Sequence, residues 1–122
     1  MGKRVMAVDD SATVRQALNI VLSDAGYDVT EAEDGLDALS KLDSGQIDMI
    51  VTDLNMPKMD GVELIRSVRR SPGNRFTPII MLTTESQNEK KQEGKAAGAS
   101  GWIVKPFRPE QILAVVRMVC PV

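Results

Sequence analysis

The chain has 122 residues, a length typical of one domain with a single hydrophobic core. Its 15 Lys and Arg residues and 17 Asp and Glu residues give a formal net charge of −2, which argues against a protein that binds mainly nucleic acid or anionic lipid. With no histidine and one cysteine, Cys120, the sequence excludes a Cys/His zinc site, a Ser-His-Asp or Cys-His nucleophile and an internal disulfide. Any chemistry must therefore use carboxylates, hydroxyls and lysine.

The apolar runs of the sequence are short. Runs such as residues 5–8 and 79–82 are far shorter than a transmembrane helix or the apolar part of a signal peptide. No linker or low-complexity segment interrupts the chain. We therefore expect one domain over residues 1–122, without an effector domain, in a cytoplasmic protein that does not contact the membrane.

Five short apolar segments alternate with five segments of helical periodicity, which is the pattern of βαβ units and a parallel sheet. The predicted strands are residues 4–8, 28–31, 49–52, 79–82 and 102–104. All but the second are nearly continuous apolar runs, as expected for strands that are buried on both faces. The second begins with Asp28 and ends with Glu31, so we place it at an edge of the sheet.

Four of the predicted helices carry an apolar stripe. The first begins after Ser11, a favourable N-cap residue, and ends before Gly26; the last begins with Pro109. The stripes are formed by Val14, Ala17, Leu18, Val21 and Leu22; by Leu36, Leu39 and Leu42; by Leu64, Ile65 and Val68; and by Ile112, Val115, Val116 and Val119. We interpret the arginines in and after the third helix, Arg66, Arg69, Arg70 and Arg75, as a solvated face.

The fourth predicted helix, residues 87–97, differs from the others because residues 88–95 include no large apolar side chain. Gly94 lies within it and costs about 1 kcal/mol relative to alanine. A short helix without an apolar face is marginal in water. We therefore predict that this helix is the least stable of the five.

Polar residues follow the carboxyl ends of four predicted strands. In an open α/β sheet, ligands bind at these ends, and right-handed crossovers bring them to one edge, with neighbouring strands about 4.8 Å apart. The residues are Asp9 and Asp10, Asp53, Thr83, and Lys105. The sequence therefore predicts a pocket that holds three acids, a hydroxyl and a lysine.

Each acid also has a purely structural interpretation. In this interpretation Asp9, Asp10 or Ser11 caps the first helix. Asp53 directly follows a buried strand, where an unpaired charge is costly, so a role in a site is favoured for it. Three close carboxylates repel one another unless a cation is bound, and oxygen ligands suit Mg²⁺. A carboxylate beside Mg²⁺ and a lysine is a plausible nucleophile towards a phosphoryl group.

These residues fall in four motifs: Asp9-Asp10, the segment DLNMPKMDG at 53–61, Thr83, and Lys105-Pro106-Phe107. At these spacings the whole chain resembles the receiver domain of two-component response regulators, and within that family it is most similar to the single-domain chemotaxis regulators. The resemblance implies a flavodoxin-like (βα)5 three-layer sandwich with a parallel sheet of order 2-1-3-4-5.

The resemblance also implies the chemistry of the site. Asp53 would accept a phosphoryl group from the phosphohistidine of a kinase, and Lys105 would pair with that group. Asp10, Asp53 and the backbone carbonyl of Asn55 would bind Mg²⁺ directly, while Asp9 would act largely through water. Such a protein is not a conventional enzyme, although it catalyses its own phosphorylation and the hydrolysis of its aspartyl phosphate.

Activation and partners follow from the same resemblance. Thr83 would hydrogen-bond the phosphoryl group on activation, Trp102 occupies the aromatic switch position, and the peptide bond between Lys105 and Pro106 would be cis. The implied partners of this monomer are a CheA-like sensor histidine kinase, a downstream protein such as a flagellar motor switch component, and a phosphatase.

Two features depart from the family's pattern. The switch position usually holds Tyr or Phe, and the fourth helix carries Lys91 and Gln92 where relatives have apolar residues, so the output partner need not be the flagellar motor switch. A phosphate sink or relay intermediate is an alternative role that the sequence leaves open. An FMN-binding electron carrier is disfavoured because Asp9 and Asp10 would repel its phosphate. A hydrolase that uses an aspartyl phosphate would need its nucleophile and general acid two residues apart after the first strand.

Overall fold

All five predicted strands and all five predicted helices are present in the computed structural model, which describes residues 2–44, 46–84 and 88–121. The strands are β1 (Arg4–Val8), β2 (Asp28–Ala32), β3 (Met49–Asp53), β4 (Ile79–Thr83) and β5 (Gly101–Val104). The helices are α1 (Ala12–Asp24), α2 (Gly35–Ser44), α3 (Gly61–Arg70), α4 (Asn88–Ala97) and α5 (Pro109–Val119). The predicted start of the fourth helix, Gln87, lies outside the described residues.

Four strands are one residue longer than predicted, because backbone pairing continues past the apolar run. The added residues are Ala32, Asp53, Thr83 and Gly101, and they pair with Val8, Leu82, Val104 and Ile80. Two of these residues, Asp53 and Thr83, are polar, so hydrophobicity alone does not mark the true end of the strand. As a consequence, the predicted site residues Asp53 and Thr83 are fixed by the backbone pairing of the sheet.

The sheet is parallel throughout, with the order β2-β1-β3-β4-β5. This confirms the predicted order and places β2 at an edge, as its acidic ends indicate. A parallel sheet aligns the carboxyl ends of its strands, so the segments that follow β1, β3, β4 and β5 meet at one edge.

The core lies on both faces of the sheet, since successive strand residues point to opposite sides. Met6 and Val8 of β1 belong to the cluster that includes buried residues of α2 and α3. Val5 and Ala7 belong to the cluster that includes buried residues of α1 and α5. The three layers of the predicted sandwich are thereby confirmed. No helix in the described part of the chain is long and apolar enough to cross a membrane.

The predicted helix start at Ser11 is confirmed by its capping hydrogen bond, and Asp60 caps α3 in the same way. The amide of Val14 donates to Ser11 Oγ at 3.3 Å, and the amide of Glu63 donates to Asp60 Oδ1 at 2.9 Å. Each bond satisfies a backbone donor that the first turn of a helix leaves free.

Two sequence interpretations are wrong. Leu36 is 52 % exposed and does not contribute to the apolar face of α2, whose buried residues include Ala38 and Leu42. Arg69 is not part of a solvated face: its guanidinium donates hydrogen bonds to the carbonyl oxygens of Gly98, Asn74 and Thr77. Burial lowers the pKa of Arg69. The guanidinium joins α3 to segments distant in the chain, which helical periodicity does not reveal.

Candidate functional site

The acidic residues that follow β1 and end β3 form one cluster. Asp9, Asp10 and Asp53 each contribute a carboxylate oxygen, and these oxygens lie within 4.8 Å of one another. Asp9 is 1 % exposed and Asp53 is 6 % exposed, whereas Asp10 is exposed. The predicted convergence of the three acids is therefore present, with two of them buried at the sheet edge and one facing solvent.

Lys105, which directly follows the edge strand β5, adds a positive charge to this cluster. Its Nζ lies 3.3 Å from Asp9 Oδ2 and 3.2 Å from Asp53 Oδ1. The lysine follows β5, so its side chain reaches past the end of β4 to contact the acids. The peptide bond between Lys105 and Pro106 is cis, as the sequence resemblance implies.

The buried environment of Asp9 disfavours the charged form of its carboxyl group. Burial raises the pKa of Asp9, and the nearby charge of Asp53 adds to this effect. The amide of Ser11, which donates to Asp9 Oδ1 at 2.9 Å, and the ammonium group of Lys105 both act in the opposite direction, but the net shift is upward. Ionised Asp9 is therefore destabilised here, and a further cation would relieve the repulsion.

The donors of this cluster fit Mg²⁺, which prefers oxygen ligands and is often held by one or two carboxylates together with water. Three carboxylates beside a single ammonium leave a negative site, and Asp10 is open to solvent on one side of it. Asn55, whose backbone carbonyl is the remaining predicted ligand, is exposed two residues beyond β3.

Thr83 ends β4 next to this cluster and is fully buried. Its Oγ1 has no hydrogen-bond partner among the residues that the structure describes. A buried hydroxyl without a partner costs about 1–3 kcal/mol. The backbone carbonyl of Thr83 is occupied, since it accepts the amide of Lys105 at 2.6 Å. The side chain is thus a hydrogen-bond donor without an acceptor, held at the edge of an anionic site.

Trp102 of β5 lies beside α4. The Nζ atoms of Lys91 and Lys95 are 4.2 Å and 5.1 Å from the centroid of its ring. Ammonium groups at this distance are attracted to an indole face. Lys91, one of the two residues at which α4 departs from the family's pattern, therefore contacts Trp102 at the switch position directly.

The sequence did not predict an ion pair between the loop after β3 and α4. Lys90 Nζ lies 3.1 Å from Asp60 Oδ2. The two residues are 30 positions apart, so no helical or strand periodicity relates them.

Comparison of the sequence with known proteins assigns the chain to one protein family. The sequence profile of the response regulator receiver domain matches residues 5–117, and the chain belongs to this family. Receiver domains are components of two-component systems, signal through phosphorylation and bind Mg²⁺ in an acidic pocket.

The individual relatives are similar over most of their length. The chain is 41 % identical to the chemotaxis protein CheY-3 of Vibrio cholerae over 105 residues, which cover 85 % of this chain and 81 % of that protein. It matches the crystal structure of Vibrio cholerae CheY4 with a TM-score of 0.93 and 50 % identity, over 98 % of this chain and 99 % of that one. It also matches the receiver domain of a Pseudomonas aeruginosa sensor histidine kinase, solved with a magnesium ion in its active site cleft, with a TM-score of 0.90, 25 % identity and 98 % coverage of both chains.

Proposed function

We propose that this chain is a response regulator in which Asp53 accepts a phosphoryl group from a kinase phosphohistidine, and that the phosphorylated form signals by binding another protein. The observation that supports Asp53 most directly is its position: it is the last residue of a central strand, it is buried, and its Oδ1 lies 3.2 Å from Lys105 Nζ. The sheet therefore holds the carboxylate in one place, as a positioned nucleophile requires.

The transfer would form a bond between an Asp53 carboxylate oxygen and phosphorus. The phosphorus–nitrogen bond of the phosphohistidine would break, and its imidazole would take up a proton. Lys105 would pair with the phosphoryl oxygens, since its ammonium already contacts Asp53. Thr83 would donate its free hydroxyl to the same group, which would remove the cost of leaving that hydroxyl without a partner.

Magnesium would be held by Asp10, Asp53 and the backbone carbonyl of Asn55, with Asp9 acting largely through water. A bound Mg²⁺ would neutralise charge on the acids and on the phosphoryl oxygens. Two observations support this assignment: the oxygens of the three acids are clustered within 4.8 Å, and the receiver domain solved with magnesium has the same fold. The same residues would later position water for hydrolysis of the aspartyl phosphate.

The phosphoacceptor can be tested without knowing the kinase. Labelled acetyl phosphate with MgCl₂ should phosphorylate the wild-type chain but not Asp53→Asn, because an amide is neither charged nor nucleophilic. Asp43→Asn, at an exposed position of α2, is the matched control and should be labelled at the wild-type rate. Incorporation into Asp53→Asn at the wild-type rate would show that another residue is the acceptor.

A role in chemotaxis is supported by the relatives named above, which are chemotaxis proteins at 41 % and 50 % identity. The partners would then be a CheA-like sensor histidine kinase, a flagellar motor switch component and a phosphatase. The alternative role, a phosphate sink or relay intermediate, is supported by Lys91 and Lys95, whose ammonium groups lie over Trp102 and give this face of the molecule a charged surface.

Beryllofluoride, a stable mimic of the phosphoryl group, distinguishes these roles. An output regulator loaded with beryllofluoride should bind a purified motor switch component more tightly than the free chain does. A phosphate sink should bind it equally weakly in both states, while still taking phosphate from the kinase.

A further inference from the structure

A network of polar contacts links the turn between β1 and α1 to the edge strand β2. The guanidinium of Arg15, in the first turn of α1, donates from Nη1 to the backbone carbonyl of Asp9 at 2.6 Å. Its Nε lies 3.2 Å from Oε1 of Glu31 in β2. The Arg15 side chain is only 17 % exposed, so water screens these contacts less than it would on an open surface. One side chain therefore joins three segments next to the acidic cluster.

Glu31 is bound at several atoms, which gives Arg15 a restrained partner. Its Oε2 accepts a hydrogen bond from Asn19 Nδ2 at 2.9 Å, and its backbone carbonyl accepts one from Lys41. Asn19 lies one turn after Arg15 on α1, so two side chains of the same helix bind the two oxygens of one carboxylate. Because the guanidinium is planar and already paired with Glu31, it loses little further freedom when it also binds the carbonyl of Asp9.

Asp9 forms hydrogen bonds through both polar groups of its backbone. Its amide donates to the carbonyl of Ala32 at 3.2 Å, which continues the contact between β1 and β2 beyond Val8. Its carbonyl lies past the end of the strand, in a turn, where neither a sheet nor a helix provides a donor. Arg15 donates to it instead. The peptide unit between Asp9 and Asp10 is thereby restrained in its orientation.

This restrained peptide joins the two acids that follow β1. Asp10 is exposed, so the direction of its carboxylate depends largely on the backbone that precedes it. Rotation of the peptide would turn that carboxylate away from Asp53, and the oxygens of the three acids would no longer lie within 4.8 Å of one another. Groups that orient metal ligands influence the affinity for the metal although they do not touch it.

We propose that Arg15 is a positioning residue for Mg²⁺ binding, which rests on the magnesium site of the proposed function: by binding the carbonyl of Asp9, it keeps the carboxylates of Asp9 and Asp10 directed towards Asp53. The sign of the effect separates positioning from charge. A guanidinium near an anionic site repels a cation, so charge alone predicts that its removal tightens Mg²⁺ binding. Loss of positioning weakens binding.

The test measures the dissociation constant of Mg²⁺ by isothermal titration calorimetry of the full chain, without a phosphoryl donor. Arg15→Gln should raise this constant by about 10-fold, the lower end of the range for loss of a group that orients metal ligands. Glu31→Gln removes the acid of the ion pair but keeps an oxygen that accepts from Arg15, so its affinity should stay close to that of wild type. Charge alone predicts the opposite order, with tighter binding in Arg15→Gln and weaker binding in Glu31→Gln.

Two further variants exclude a general effect of weakened folding. Arg69→Gln also removes a guanidinium that binds backbone carbonyls, but those carbonyls precede β4 and β5, at the opposite edge of the sheet from the acids. It should bind Mg²⁺ with wild-type affinity. Arg15→Lys keeps the charge but cannot bind both acceptors with one rigid plane, so its affinity should lie between those of wild type and Arg15→Gln.

The amide of Asp10 provides a second readout, because its nitrogen belongs to the peptide whose oxygen Arg15 binds. Its NMR signal in the absence of Mg²⁺ should move in Arg15→Gln and stay in place in Arg69→Gln. Unchanged or tighter Mg²⁺ binding in Arg15→Gln would overturn the proposal, as would an equal loss of affinity in Arg69→Gln. If Arg15→Gln does not fold, wild-type affinity in Arg15→Lys would overturn it. Failure of the wild-type chain to bind Mg²⁺ would instead refute the proposed metal site, a result that none of the variants can produce.

Discussion

Arg69 shows how one side chain can join segments that are distant in the sequence. Its guanidinium donates to the carbonyls of Asn74 and Thr77, which precede β4, and to that of Gly98, which precedes β5. Backbone carbonyls in turns lack partners from a helix or sheet, and arginine offers five donors in a fixed plane that can satisfy several of them at once. Arg66, one turn earlier on α3, is exposed and makes a natural comparison.

We expect Arg69→Gln to lower the free energy of unfolding by about 1–3 kcal/mol, because it leaves partly buried carbonyls without donors. Arg66→Gln, the same change on the same helix, should stay within about 0.5 kcal/mol of wild type. Urea denaturation followed by circular dichroism measures both. Equal effects of the two substitutions would mean that the contacts of Arg69 contribute nothing beyond those of a surface arginine.

At the scale of elements, two helices lie so close to the sheet at a glycine that an added Cβ atom would overlap a neighbouring residue. A Cβ atom on Gly61, the first residue of α3, would overlap the backbone carbonyl of Asp53 and lie 2.9 Å from the Cα of Leu54. A Cβ atom on Gly94 of α4 would instead meet the sulfur of Met81, a flexible side chain. Gly94 therefore has two effects: it lowers the helix propensity of α4, as the sequence indicated, and it allows α4 to lie close to Met81 of β4.

Gly61→Ala should therefore destabilise the protein by about 1–3 kcal/mol, since backbone at the end of β3 cannot move aside cheaply. Gly94→Ala should cost less, because the end of Met81 can shift and alanine gains about 1 kcal/mol in helix propensity. The midpoints of urea denaturation of the two variants, compared with wild type, test this order. A larger loss for Gly94→Ala would contradict it.

For the whole molecule, the acidic edge of the sheet groups like charges that a bound cation would stabilise. Three carboxylates are grouped around one ammonium, and burial raises the pKa of Asp9. A ligand that binds only the folded state stabilises it by about 2.7 kcal/mol when its concentration is 100 times the dissociation constant. The fold consequently tolerates this charge cluster at a cost that magnesium would offset.

We predict that saturating MgCl₂ raises the free energy of unfolding of the wild-type chain, relative to KCl at the same ionic strength. Asp10→Ala should lose most of this increase, and because Asp10 is exposed the variant should still fold. Asp24→Ala, which removes an exposed acid from the end of α1, should retain it. An equal increase in Asp10→Ala and wild type would place the cation elsewhere.

The sequence by itself determined the elements, their order along the chain and the edge of the sheet at which polar residues meet. Each of these follows from local periodicity, capping residues or the right-handed connection of parallel strands, all of which are properties of short segments or of general topology. That is why Asp9, Asp53 and Lys105 could be placed in one pocket, although 96 positions separate the first from the last. Their exact roles came only from resemblance to a family.

Only the tertiary structure decided how side chains from different elements meet. The buried hydroxyl of Thr83, the three carbonyls bound by Arg69 and the ion pair between Asp60 and Lys90 carry no signal in the sequence, because each depends on which faces of two packed elements come together. Packing is set by the volumes and shapes of many side chains at once, whereas a pattern along the chain reports only which face is apolar. From the sequence alone, a charged residue on the polar face of a helix is therefore interpreted as solvated, even where a neighbouring element contacts it in the folded protein.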